Sequence, residues 1–129
     1  MPELAKGTFE VKTTPVAPEQ GDDTGIGRLT LDKKFAGDFE GTSRGQMLGS
    51  RSAVEGSAGY VAMEKVTGKL GGRTGTFVLQ HVGTMKRGTP EMNVSVVPDS
   101  GTGELSGISG TMTIIIAGGK HSYEFAYSL

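Results

Sequence analysis

The chain has 129 residues, with 13 basic and 14 acidic side chains and a net charge of −1 at pH 7. That balance leaves no basic stripe for nucleic acid or an anionic membrane surface. The absence of cysteine excludes a thiol nucleophile, a thiolate-held metal and a disulfide framework.

Glycine is the compositional outlier, at 22 residues against 5 prolines, and glycine usually makes up only about 7% of a chain. Helices of ordinary length, about 11–12 residues, do not fit between these glycines without interior breaks. The intervening segments are rich in Val, Ile, Thr, Phe and Tyr and alternate with period two. In the first, Phe9 and Val11 alternate with Thr8, Glu10 and Lys12, predicting a strand over 4–14. A loop rich in Pro, Glu and Asp, Pro15 to Asp23, follows. Leu29 and Leu31 mark a strand over 25–36, and a third is predicted over 38–49. In that third strand glycines 41, 45 and 49 share a face with Phe39, Ser43 and Met47. Glycine there permits sharp coiling or leaves open volume. Further strands are predicted over 57–67, 73–86, 91–98, 105–117 and 120–128. Short turn signals connect them at Gly37-Asp38, Gly71-Gly72, Arg87-Gly88 and Gly118-Gly119. Eight sequential antiparallel strands point to an all-β, closed, up-and-down barrel spanning 1–129 as one domain. A two-sheet β-sandwich is the alternative.

The stretch VVPDSGTGELSGISGTM, Val96 to Met112, raises the question of a dinucleotide site. It fails the test, because such a turn follows a first parallel strand and opens a helix. Here strand patterning precedes it, and TMTIIIAGG after it reads as strand. Its glycines are read as a tight, bulged approach to the seventh strand, with Glu104 capping its own turn. The same residues resemble a bacterial family, domain-of-unknown-function family 3224. LTLDKKFAGDFEGTSRGQML, GYVAMEKVTGKLGGRTGTFVLQHVGTM and HSYEFAY are similar to blocks of that family. The resemblance implies a barrel like that of allene oxide cyclase and assembly as a homo-oligomer, dimer or trimer. It carries no catalytic residues over to this chain.

His81, in phase with Phe77, Leu79, Gly83 and Met85, is the first candidate for chemistry. A histidine inside an apolar barrel serves as acid or base. The competing reading is a core histidine satisfied by a tyrosine or a carbonyl. Tyr123 and Tyr127, sharing a face with Phe125 and His121, are candidate interior donors that orient a substrate oxygen. Tyr60 and Glu64 share a strand face, which Val61 and Met63 contest. If Glu64 faces inward it becomes a candidate buried base; exposure is the ordinary outcome. Two unlinked histidines without HxH or HExxH spacing give no reason to expect a metal, and no cofactor motif is present.

These readings lead to three expectations. The first is a barrel that binds a small apolar molecule in a cavity lined by Phe77, Leu79, Met92, Val94, Tyr60 and Phe125. The second is a cofactor-free cyclase or isomerase using His81 with Tyr123 or Tyr127. The third is a structural oligomer with a filled interior. The N-terminus MPELAKGTFEVKTT has no apolar leader, and the longest apolar run, Ile114 to Ala117, is too short to span a bilayer. With the lack of cysteine, this places the expectation in the cytoplasm.

Overall fold

The computed structural model describes residues 2–129. Eight strands follow in chain order: β1 (Glu3–Val16), β2 (Gly27–Gly37), β3 (Phe39–Arg51), β4 (Ala58–Leu70), β5 (Arg73–Lys86), β6 (Thr89–Val96), β7 (Ser109–Ala117) and β8 (Lys120–Ser128). Each pairs antiparallel with the next, and β8 pairs back onto β1, so the sheet closes into a barrel. The sandwich alternative is set aside by that closure. The expected two-residue turns hold the backbone at positive φ at Gly71-Gly72, Arg87-Gly88 and Gly118-Gly119, the geometry that matches strand twist in tight hairpins.

Alternation does what the sequence pattern demands. Phe9, Leu31, Phe35, Phe39, Val66, Leu70, Phe77, Leu79, Val94, Phe125 and Tyr127 are buried. The interior is filled at one end. Phe77 stacks on Phe125 with ring centroids 5.7 Å apart, and Phe125 stacks on Tyr127 at 5.4 Å. Offset ring stacking of this kind adds about 0.5–1.5 kcal/mol beyond area burial.

Two boundaries depart from the pattern. β1 continues through Pro15 to Val16, whose partners are Leu29 and Arg28. On its other side β1 pairs with β8 only as far as Phe9. Pro15 therefore sits on a locally free edge, where the missing N–H breaks no ladder bond. β7 begins at Ser109 rather than 105, because Gly103–Leu105 forms a 3₁₀ turn. That turn delivers Leu105 (0% exposed) and Ile108 (3%) into the filled end as a plug. Thr102 N–H donates to the Thr76 carbonyl at 2.8 Å, and Val78 N–H donates to Ser100 Oγ at 3.0 Å. The glycine-rich stretch is thus a cap that satisfies the edge of β5. Glu104 does not cap its own turn: its Oε1 accepts from Thr74 N–H on β5, at 3.1 Å. Beyond this plug β6 and β7 pair only at Val94–Met112 and Ser95–Thr111.

Candidate functional site

The end of the barrel opposite the plug is open. A cleft of about 650 Å³ lies there, walled by apolar residues that include Val16, Leu29, Met47, Met85 and Met92. The strand register explains the space. One inward row across the sheet reads Gly27, Gly49, Tyr60, Gly83 and Met92. Three of these five positions carry no side chain, and Tyr60 lies flat against Gly83, where an added Cβ would collide with the ring. Arg28, Arg51 and Glu91 stand among the wall residues at the strand ends.

The next inward row is Leu29, Met47, Ala62, His81 and Val94, and the one below is Leu31, Gly45, Glu64, Leu79 and Val96. A fourth row places Lys33 beside Ser43. Alternation therefore drives three ionisable side chains into the core under the cleft. Glu64 is 1% exposed, His81 3% and Lys33 8%. Lys33 Nζ donates to Glu64 Oε2 at 2.8 Å. His81 Nε2 lies 2.7 Å from the same oxygen, off the line of an aligned N–H···O bond. Among the described residues Glu64 Oε1 and Ser43 Oγ have no hydrogen-bond partner. Lys33 Nζ also lies 4.9 Å from the centre of the Phe9 ring, a cation–π contact.

The cluster resolves the protonation of its carboxyl. Burial by itself pushes Glu64 up, but the His81 contact and the Lys33 ammonium outweigh it and hold the carboxyl down at about 2. Glu64 is thus a standing anion, and the exposure that is the ordinary outcome for such a residue gives way to burial on the inward face. Tyr60 shifts the other way: burial, aided by the Glu64 charge, pushes its phenol up, so it keeps its proton. The Tyr60 and His81 rings lie 6.5 Å apart, which links the cleft wall to the cluster.

The candidates named from sequence fall into three places. His81 joins Glu64 and Lys33, and Tyr60 and Met92 line the cleft. Phe77, Leu79, Val94 and Phe125 form packed core below it. Tyr123 and Tyr127 lie with that core, and the Tyr123 hydroxyl serves the backbone. It accepts from Phe39 N–H at 2.9 Å and lies 3.2 Å from the carbonyl oxygens of Ala36 and Phe39. The neighbours of His81 in the structure are Glu64, at 2.7 Å, and the Tyr60 ring, at 6.5 Å between centroids. His121 packs on Phe9 at 5.3 Å. Lys33 was absent from the sequence reading, although it is in phase with Leu29, Leu31 and Phe35. A charged side chain in an otherwise apolar phase was the available signal. Among the described residues no group of three His, Cys, Asp or Glu side chains is placed to hold a metal ion.

Comparison with known proteins gives relatives without an assigned activity. A solved structure from Shewanella oneidensis MR-1, described as a protein with unknown function from the DUF3224 family, is 48% identical. The match covers 100% of this chain and 98% of that one, with a TM-score of 0.93. No curated protein matches. The family model for proteins of unknown function DUF3224 matches residues 5–127, and the chain belongs to that family.

Proposed function

We propose that this barrel binds a small, mainly apolar molecule in its open cleft. The observation that carries the reading is the pair of glycines at 27 and 49. Neither has positive φ. A Cβ at Gly27 would meet nothing within 4 Å, and one at Gly49 would make only ordinary contacts, 3.6 Å from the Gly59 carbonyl oxygen and 3.8 Å from Tyr60 Cβ. The fold does not require glycine at either place, and glycine there keeps the volume open. An apolar wall with a few polar groups, in a space of about 300–1,000 Å³, is the ordinary make-up of a ligand site.

The test fills the space without touching the core. Nile red, a neutral apolar dye, is titrated against wild type and Gly49→Leu, and both are melted. The expected result is bright, saturable fluorescence with wild type, at least tenfold weaker binding in the variant, and an unchanged or higher melting temperature. Equal dye binding by both proteins would defeat the reading.

The contact of His81 with Glu64 beneath the cleft favours a second reading, in which His81 moves a proton on the bound molecule. A carboxylate that orients an imidazole and offsets its charge is a recurring acid–base device. Deuterium uptake from D₂O next to the carbonyl of 2-octanone should then be faster with wild type than with His81→Gln. Equal rates would remove this reading and leave binding intact.

A further inference from the structure

We propose that Tyr60 recognises the buried end of the ligand, and that this end is an uncharged carbonyl oxygen, as in an apolar ketone, aldehyde or ester. The inference rests on the binding reading above and adds to it the chemistry of the bound group.

Tyr60 and Tyr123 are both barrel-facing phenols, and the structure uses them differently. Tyr123 is tied to the backbone of Phe39 and Ala36. Tyr60 stands in the cleft wall, with no hydrogen bond from its hydroxyl among the described residues. Its ring is seated rather than loose. Gly83, its direct partner on β5, lacks the side chain that would push the ring away, and His81 flanks it with a centroid separation of 6.5 Å. A phenol that is fixed and still has its O–H to give is a preorganised donor. Burial and the Glu64 charge hold the proton on it.

The surroundings decide what it donates to. The standing Glu64 anion lies four residues along the same inward face, so a carboxylate brought to Tyr60 meets a like charge. An acid would instead hold its head at the rim, near Arg28 and Arg51, with its tail inward. A cationic amine would meet those two arginines against the one carboxylate of Glu91 on the way in and find a donor at the end. A neutral acceptor oxygen meets neither penalty. The apolar side chains of Leu29, Met47 and Met92 leave room for an alkyl body around it.

The experiment uses full-length wild type and Tyr60→Phe, with 2-octanone labelled with ¹³C at the carbonyl and octanoate as the acid control. Phenylalanine keeps the ring on Gly83, and a melt confirms the fold. Affinity and the carbonyl infrared band are both recorded. The expected result is a band shifted below its position in hexane by wild type, restored toward the hexane position in Tyr60→Phe. Ketone affinity should fall about threefold to tenfold, the worth of one neutral hydrogen bond, and octanoate affinity should not change. A band and an affinity indifferent to Tyr60→Phe overturn the proposal. If 2-octanone does not bind while Nile red does, this inference fails and the binding reading stands. If neither binds, both fall.

Discussion

At the scale of the residue, Glu64 concentrates the chemistry of the interior. Two nitrogens, Lys33 Nζ at 2.8 Å and His81 Nε2 at 2.7 Å, meet one of its oxygens. A buried ion pair adds little against a well-packed apolar substitute, but removing one partner leaves a buried charge uncompensated, at about 3–5 kcal/mol. Glu64→Gln is therefore expected to destabilise the fold by about that amount, because Lys33 loses its counter-ion. Lys33→Met in the same chain should recover most of the loss; urea midpoints measure both. The pH dependence has a definite sign. The folded Glu64 carboxyl sits at about 2 and its ordinary value is 4.5. Between those values the unfolded chain binds more protons, so stability rises with pH there. The stabilisation is complete above about 4.5 and is lost as the pH falls toward about 2. Wild type should lose more stability than Glu64→Gln between pH 5 and about 2.5. Parallel pH profiles for the two proteins would show that the cluster does not set acid stability.

At the scale of the element, β3 shows two uses of one residue type. Gly45 lies directly opposite Glu64, and a Cβ there would come within 2.7 Å of the Glu64 Cα and Cβ and strike the Met63 carbonyl. Gly49, two repeats of the alternation further along, has ordinary space. Gly45→Ala is thus expected to cost about 1–3 kcal/mol through overpacking, while Gly49→Ala is neutral or stabilising by about 0.4–1 kcal/mol through the unfolded chain. Thermal melts of the two variants separate a glycine kept for close strand approach from one kept for volume. The shared face of glycines 41, 45 and 49 was legible in the alternation. Which of them supported coiling and which left space was not, because that depends on how closely β4 approaches at each register position.

At the scale of the molecule, the barrel is two structures end to end. Aromatic rings and the Leu105–Ile108 plug fill one end, and the other holds the cleft. The closure is uneven. β4 and β5 pair along their whole length, from Ala58–Met85 to Leu70–Arg73, whereas β6 and β7 share two residue pairs. Amide hydrogen exchange should therefore open Thr89–Asn93 and Thr113–Ala117 well before the centre of β4, since few long-range bonds hold that seam. Uniform protection around the barrel would contradict this ranking.

The alternation of apolar and polar residues, broken by glycine turns, determined the fold class, the eight strands and the order in which they pair. Each of these follows from period-two patterning and turn chemistry, which are local properties. The long glycine-rich stretch reads as turn followed by strand on the same local grounds, and it forms a 3₁₀ turn ahead of β7. Its service as a plug depended on the distant β5 edge. Only the tertiary structure decided which inward groups meet. Lys33, Glu64 and His81 stand on β2, β4 and β5, and their contact depends on the register of three hairpins and on the curvature that closes the sheet. Tyr60 joined them, and Tyr123 did not, for the same reason: two residues with the same alternation lie at opposite ends of the barrel, one above an open row of glycines and the other over a filled core.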